Sequence, residues 1–300
     1  MGHLTKPIRY TRKGLRLYCA AWFVTLAGPA CAGGLPAVDL YLSQSPPLTV
    51  LEPADQDGNN GITGIVGEVT VKAATLAGYD LRPQALPWAR SQRIVQSGRN
   101  QLIIPLSRTP ARENQYTWIA PVMTMDRAFF SLDKQVETFE QARQTYERVA
   151  VGMGSAQEQM LRDEGFSNAQ IYSLKIGENP AQMLLLGRVD AWFNGVPETR
   201  YFWPQVSDRP LRMSPALMKS DLYLACSKIC DPTMVDDLRK AIETLRSDGT
   251  IKRITDAYLA KTAAQASKSL QSAPQQSAPK DSHHEPAPRQ PADLPRTHRP

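Results

Sequence analysis

Apolar residues between positions 39 and 193 fall into short continuous runs separated by longer periodic segments. Short runs rich in branched and aromatic residues predict strands, whereas apolar residues that recur every three or four positions predict helices. The predicted strands cover 39–43, 81–85, 101–106, 148–152, 170–174 and 189–193, and the predicted helices cover 65–77, 91–97, 180–186 and two segments that begin at Thr138 and Ser155. Strands that alternate with helices of this length predict an α/β fold with helices on both faces of parallel sheets.

A further strand and two helices are predicted toward the C-terminus. Residues 222–226 predict the strand, and Asp231-Pro232 predicts a helix start, because Asp is a preferred N-cap and Pro suits the first helical position. The apolar face of this helix consists of Val235, Leu238, Ile242 and Leu245. Gly249 ends it, and residues 251–258 predict a last short helix. This segment must return to pack on one of the preceding α/β units.

The first 32 residues have a different pattern. Five basic residues and no acidic one precede an apolar run at 17–26, which leads to Ala30-Cys31-Ala32. This layout predicts a secretory signal peptide cleaved after Ala32, and hence a periplasmic protein. The run is shorter than the ~20 residues of a membrane span, which argues against a permanent anchor. A lipoprotein acylated at Cys31 is the alternative.

Removal of the signal peptide changes the charge of the chain. The sequence has 35 basic and 29 acidic residues, and its net charge is +6. Without the five basic residues of the signal peptide, the chain has 30 basic and 29 acidic residues, so its net charge is about +1. The positive charge therefore belongs to the export signal, and we expect no nucleic-acid partner.

The C-terminal residues 261–300 are rich in Pro, Ser, Gln and Ala, and they predict a disordered tail because they bury little apolar surface. The four histidines of the chain are His3, His283, His284 and His298. A body without histidine excludes a His-dependent triad and the common zinc sites there, and no cofactor or metal is expected. His283-His284 is either a loose metal site or part of a solvated linker.

Two of the four cysteines, Cys19 and Cys31, lie in the predicted signal peptide. In an oxidising compartment the remaining pair, Cys226 and Cys230, is expected to form a disulfide. Two half-buried thiols at a strand end are the alternative, because disulfide geometry is demanding at so short a spacing.

Four segments carry a family resemblance. Residues 96–121 contain a strand followed by a Thr-x-x-Arg motif, and 149–155 contain a strand and a Gly-Ser turn. Residues 186–191 read Leu-Gly-Arg-Val-Asp-Ala, and 245–254 resemble a closing helix pair. In this order they are similar to family 3 bacterial periplasmic solute-binding proteins, the polar amino-acid ABC transporter type. The resemblance covers 35–259.

The resemblance implies two α/β lobes that close on a ligand, as in type II periplasmic binding proteins. Lobe 1 would comprise 33–126 and 223–260, and lobe 2 would comprise 127–222. The chain would cross between them on two strands, near 127–132 and 211–222. Ligand would bind between the lobes at the strand ends, and closure would be a hinge motion.

Candidate ligand-binding residues in lobe 1 follow the strand at 101–106. Thr109 and Arg112 lie just after it, and a planar guanidinium suits a carboxylate. The resemblance implies that Arg112 grips the ligand carboxylate and that Ser107 contacts ligand. The alternative is a surface arginine that pairs with Glu113 or another acid.

Other candidates lie at loops and helix starts. Gly154 and Ser155 open a helix, where free N–H groups and the helix dipole favour anions. Trp88 either lines the cleft or belongs to the core. Ser45 follows the first strand, where relatives often carry an aromatic residue, and it would leave that wall more open.

Lobe 2 departs from the amino-acid-binding pattern. The aspartate that pairs with a ligand ammonium in the family would lie five residues after Asp190, where this chain has Gly195 preceded by Asn194. Glu198 is near enough to reach in. We therefore expect an anion without a free α-ammonium, or one whose amine meets Glu198.

The expected function is capture of a small anionic, carboxylate-bearing metabolite for ABC-type uptake, by a monomer that is not an enzyme. Its partner would be an inner-membrane ABC permease. One alternative is a sensory protein that docks a ligand. Another is a carboxylic-acid dehydratase that uses Glu198 or Asp190 as acid or base without histidine.

Overall fold

The computed structural model describes residues 1–3, 35–53, 60–174 and 178–272. The chain divides into two compact units, residues 1–34 and 35–300. Most of the predicted signal peptide and the tail beyond residue 272, with His283 and His284, lie outside the described residues. The second unit carries the elements described below.

Within these ranges the chain forms eleven strands and eight α-helices. The strands are β1 Ala37–Leu42, β2 Val50–Leu51, β3 Ile62–Thr63, β4 Asp80–Ala85, β5 Leu102–Ser107, β6 Tyr116–Ser131, β7 Val149–Gly152, β8 Ile171–Leu174, β9 Ala191–Gly195, β10 Arg212–Met213 and β11 Met218–Ser227. The helices are α1 Ile65–Ala77, α2 Trp88–Ser97, α3 Phe139–Thr145, α4 Ala156–Asp163, α5 Pro180–Leu185, α6 Val196–Phe202, α7 Pro232–Ser247 and α8 Thr250–Ser272.

Nine of these strands form one mixed sheet in the order β4-β1-β5-β11-β6-β9-β7-β8, with β10 paired to β6. The pairs on the two flanks are parallel: β1 with β4 and β5, and β7 with β8 and β9. The central strands β6 and β11 are antiparallel to each other and to their outer neighbours. The two parallel flanks are therefore joined by a central antiparallel pair that belongs to both.

Each flank has its own hydrophobic core, and we call the flanks lobe 1 (β1, β4, β5, α1, α2, α7) and lobe 2 (β7–β9, α3–α6). In lobe 1, Leu40 packs in the layer with α1 and α7, while the next residue, Tyr41, packs on the opposite face with α2. In lobe 2, Phe129 stands 4.7 Å from Phe193, ring centre to ring centre, and Trp192 faces the other layer. Alternation with period two thus puts apolar residues on both faces of the sheet. The predicted two-lobe α/β fold is confirmed.

Several element boundaries follow local rules that the sequence shows. Helix α1 has the predicted bounds and ends at Gly78, whose φ of +80° is left-handed and whose N–H donates to carbonyls of the last turn. Thr138, Ser155 and Asp231 are N-caps, and their side chains accept hydrogen bonds from backbone N–H groups of the first turn.

The last helix is longer than predicted. Helix α8 runs to Ser272, so a disordered tail that begins at Lys261 is wrong for the residues up to 272. Thr262 is buried, and its hydroxyl donates to the Tyr258 carbonyl. Alanine is frequent after Lys261, and its high helix propensity extends a helix that is already anchored by packing.

The contacts that hold the loop between β11 and α7 include a disulfide and a hydrogen bond to Asn100. Cys226 and Cys230 are joined by a disulfide, with their Cα atoms 6.1 Å apart. Asn100, in the left-handed region at φ +54°, accepts a hydrogen bond from the Asp231 N–H at 2.7 Å. Asn100 therefore ties the turn between α2 and β5 to the start of α7 and lies away from the cleft described next.

Candidate functional site

A cleft of about 890 Å³ lies between the lobes. Its walls come from the C-terminal ends of β1, β4 and β5 on one side and from the starts of α4 and α6 on the other. Seven predicted ligand-binding residues line it: Ser45, Trp88, Ser107, Arg112, Ser155, Asn194 and Glu198. Thr109 and Gly154 contribute no surface to the wall, although the carbonyl groups of both accept hydrogen bonds from Arg112.

Arg112 lies on the 3-10 turn Pro110–Gln115, directly after β5. Its Nη1 donates to the Ser107 carbonyl at 3.2 Å, and its Nη2 donates to the Gly154 carbonyl at 3.0 Å. Burial lowers the pKa of Arg112. The alternative of a surface pair with Glu113 is wrong, because Glu113 instead binds the neighbouring Arg108 through Nε at 2.8 Å.

Arg127, which the sequence analysis missed, lies on β6 at the bottom of the cleft and is only 1% exposed. Its Nη2 donates to the Ser107 hydroxyl at 2.8 Å, its Nη1 donates to the Ser220 hydroxyl, and its Nε has no partner in the described part of the chain. Burial lowers its pKa to about 10, with Glu198 opposing this shift and the charge of Arg112 adding to it. The signal available in the sequence was an arginine directly before the apolar residues Ala128, Phe129 and Phe130.

Glu198, on α6, is 8% exposed and faces the same cleft. The Ser45 hydroxyl donates to its Oε1, and its Oε2 has no partner among the described residues. Burial raises the pKa of Glu198, while the Ser45 hydrogen bond and the charge of Arg127 oppose the shift. A carboxyl and a guanidinium are thus both buried in the cleft, and each keeps one polar atom unsatisfied.

The start of α4 differs from the prediction. The Gly154 N–H donates to the Glu158 carboxylate at 2.7 Å, and the Ser155 N–H donates to the Gly152 carbonyl at 3.1 Å. The Ser155 hydroxyl in turn accepts from the Glu158 N–H, which completes a capping arrangement. The two N–H groups expected to be free for an anion are therefore already engaged.

Gly154 instead joins the lobes through its carbonyl. That oxygen accepts from Arg112 and, at 2.9 Å, from the Gln92 amide on α2. Gly154 has a left-handed φ of +70°, and a Cβ there would stand 3.2 Å from the Ala89 Cβ. Glycine is required at this close approach between the lobes.

The remaining predicted residues have structural partners. Asn194 accepts from the Gln157 amide at 3.2 Å and donates to the Thr199 hydroxyl at 3.3 Å. Trp88 both lines the cleft and packs against the core cluster under α2, so the two alternatives for it coexist. In the part of the chain that the structure describes, no group of three or more His, Cys, Asp or Glu side chains is placed to hold a metal ion.

A cleft between two α/β lobes joined by two shared strands is the architecture of a periplasmic binding protein, and it defines a ligand-binding protein. The family model for bacterial extracellular solute-binding proteins, family 3, matches residues 43–261. The protein therefore belongs to this family, which confirms the resemblance seen in the sequence.

Solved structures share the fold at low sequence identity. A histidine kinase sensor domain with similarity to periplasmic binding proteins is 17% identical, with a TM-score of 0.66, and the match covers 75% of this chain and 97% of that one. An amino-acid ABC transporter substrate-binding protein from Streptococcus pneumoniae, bound to L-arginine, is 21% identical, with a TM-score of 0.63 and coverage of 75% and 95%.

An ancestral amino-acid-binding protein, a precursor of cyclohexadienyl dehydratase, is 18% identical, with a TM-score of 0.61 and coverage of 74% and 95%. Among curated protein sequences, no relative matches this chain. None of the helices in the described ranges combines the length and apolar character needed to cross a membrane.

Proposed function

We propose that this protein is exported to the periplasm, captures a small carboxylate-bearing metabolite between its lobes, and presents it for ABC-type uptake. The observation that carries the proposal is the pair of guanidinium groups, Arg112 and Arg127, on either side of Ser107. Neither forms an ion pair with a carboxylate in the described ranges. An unpaired buried charge costs several kcal/mol, and an anionic ligand would remove that cost.

The cross-cleft contacts support capture by closure. Arg112 and Gln92 donate to Gly154, and Ser45 donates to Glu198, so both ends of the cleft have donors from lobe 1 on acceptors from lobe 2. A carboxylate beside Ser107 would accept the guanidinium N–H groups that these contacts leave unused, because arginine has five donors. The side chains that would bind the ligand therefore also form the hydrogen bonds between the lobes.

The charge on the lobe 2 wall constrains the ligand further. Gly195 offers no side chain at the position where the family places its ammonium-pairing aspartate, and Glu198 supplies the carboxylate of this wall. An α-ammonium buried without a counter-charge would lose several kcal/mol. The ligand is an anion without a free α-ammonium, or one whose amine meets Glu198.

The test compares acids with the same carbon skeleton, such as 2-oxoisovalerate, 2-hydroxyisovalerate and valine, in thermal melting. A ligand at 100 times its dissociation constant stabilises the fold by ~2.7 kcal/mol, a readily measured shift. We expect larger shifts with hydroxy, keto or aromatic carboxylates than with amino acids. Tight binding of an amino acid that survives Glu198→Gln would contradict this assignment.

Export has a separate test. Cleavage after Ala32 predicts that protein recovered from the periplasm begins at Gly33, which intact-mass measurement resolves. A product that retains residues 1–32, or one that carries a lipid on Cys31, would contradict the proposed processing.

A sensory role is the second candidate, favoured by the similarity to a histidine kinase sensor domain. Uptake measured in a strain that lacks the protein separates the two roles. Loss of uptake of the bound acid supports transport, and normal uptake with loss of a ligand-dependent response supports sensing. Conversion of cyclic hydroxy acids by the purified protein, followed by NMR, would instead reveal a dehydratase.

A further inference from the structure

Two arginines on α2 form a cationic rim at the entrance to the cleft. Arg90 and Arg93 are exposed, lie one turn apart, and line the cleft together with Trp88. The same helix turns Ser91 and Val95 inward, which fixes its orientation. Residues at this spacing lie on one face of a helix, so the two guanidinium groups are neighbours.

Neither rim guanidinium has a partner among the described residues. No hydrogen bond or ion pair engages either group in the part of the chain that the structure describes. Among the described residues of the lobe 2 wall the one acid is Glu198, and Gly152, Met153 and Gln157 line the same wall. Like charges one turn apart repel, and a bound anion would offset that repulsion.

The charge of the whole cleft points the same way. Its lining contains four arginines, Arg90, Arg93, Arg112 and Arg127, and one carboxylate, Glu198. Burial also raises the pKa of that carboxylate, which favours its neutral form. A ligand with a single negative charge would leave most of this excess positive charge uncompensated.

We infer that the Arg90–Arg93 rim is a second anion subsite, and that the ligand carries at least two negative groups. One group lies at Arg112 and Arg127, and the other meets the rim. The ligand class is a di- or tricarboxylic acid or a phosphorylated carboxylic acid. This inference rests on the proposed function and adds the second subsite to it.

The two subsites differ in exposure, and they therefore differ in their response to salt. Arg127 is buried, whereas both rim arginines are exposed. At 0.1 M salt the screening length is about 10 Å, so salt weakens interactions between exposed charges. It weakens interactions of buried charges much less. Selectivity for the multiply charged acid should therefore be largest at low salt.

The experiment measures affinities by calorimetry for butyrate, succinate, tricarballylate and 3-phosphonopropionate, at low and at physiological salt. The test variant is Arg90→Gln with Arg93→Gln, which keeps both side-chain stems. The matched control, Arg99→Gln with Arg188→Gln, removes the same charge at exposed positions that do not line the cleft.

We expect wild-type affinity to rise with the number of negative groups. The rim variant should bind tricarballylate about tenfold more weakly at low salt, since two exposed charge contacts are lost, and should bind butyrate within about twofold of wild type. The control variant should follow wild type. If 3-phosphonopropionate binds more tightly than succinate, the second group is a phosphoryl group, and the reverse order assigns a second carboxylate.

Equal affinities for the mono- and multicarboxylates, or an unchanged preference in the rim variant, would overturn the second subsite. The proposed function would then still stand if Arg112→Ala weakens binding of these acids. If none of the four probes binds the wild-type protein, the rim subsite is overturned, and carboxylate capture is decided separately by the comparison of 2-oxoisovalerate, 2-hydroxyisovalerate and valine.

Discussion

The two walls of the cleft differ in charge and in hydrogen-bonding character. Lobe 1 supplies donors and positive charge, through Ser45, Gln92, Arg112 and the rim pair Arg90–Arg93. Lobe 2 supplies acceptors, the Gly154 carbonyl and the Glu198 carboxyl, together with neutral amides. Every hydrogen bond that we describe across the cleft is donated by lobe 1.

The same contrast applies to the start of α4, which the sequence predicts to be an anion site. A helix N-terminus on lobe 2 would be a general anion site, but the Glu158 carboxylate already accepts the N–H of Gly154, which directly precedes the N-cap Ser155 of α4. We therefore expect arginine side chains on lobe 1 and on β6, rather than this turn, to hold the anion. The comparison teaches that a Gly-Ser helix start after a strand is an anion site only if its N–H groups stay unpaired.

The largest effect is expected for Arg112→Ala. Loss of a charge-assisted contact removes ~1.5–3 kcal/mol, so affinity for the carboxylate ligand should fall tenfold or more in calorimetry. Arg108→Ala is the control, because Arg108 pairs with Glu113 outside the cleft. Unchanged affinity in Arg112→Ala would show that lobe 1 does not hold the anion through this residue.

The next prediction concerns Glu198, the one acid among the described residues that line the cleft, and uses the pH dependence of stability. Because burial raises the folded-state pKa of Glu198 above its ordinary value of 4.5, its contribution to stability is complete below that pH and is lost as pH rises through the folded pKa. In urea unfolding without ligand, wild type should therefore lose stability relative to Glu198→Gln as the pH rises from acid to neutral.

Glu147→Gln is the matched control for Glu198→Gln, since it removes an exposed carboxylate that lies outside the cleft. The difference between wild type and this control should not follow the Glu198 trend. A stability gap between wild type and Glu198→Gln that stays constant with pH would mean that the carboxyl ionises as it does in water.

A smaller effect is expected at the start of α4. Glu158→Ala removes the contacts to the Gly154 N–H and the Ser173 hydroxyl, and it should lower the free energy of unfolding by about 1 kcal/mol. Ligand affinity should stay within about twofold, because the proposed anion site consists of Arg112 and Arg127 rather than of this helix start. A clear gain in affinity for the acids would reveal that the freed helix start binds them. Gln159→Ala, on the same helix, is the control variant for Glu158→Ala.

The smallest effect on ligand binding is expected from the disulfide in lobe 1. Cys226 and Cys230 lie at the far end of β11 from the cleft and close a short loop, so reduction should leave affinity nearly unchanged. Ellman titration of denatured, unreduced periplasmic protein should find no free thiol from this pair. Detection of two thiols would rule out the bridge in the cell.

Local sequence was sufficient wherever a structure depends on residues within one turn. The end of α1 at Gly78 and the caps at Thr138, Ser155 and Asp231 were all predictable, because a capping side chain bonds to backbone two or three positions away. Arg112 was predictable for a similar reason, as it closely follows a buried strand within a family motif.

Tertiary structure was needed for contacts between residues distant in the chain. Ser45 and Glu198, which hydrogen-bond across the cleft, are 153 residues apart, and Arg112 donates to a carbonyl 42 residues away. No local pattern shows that Arg127 is buried beside Ser107 or that Glu198 is the one acid among the described residues that line the cleft. These pairings depend on how two independently packed lobes are set on shared strands, and the energy of a buried charge depends on what then surrounds it.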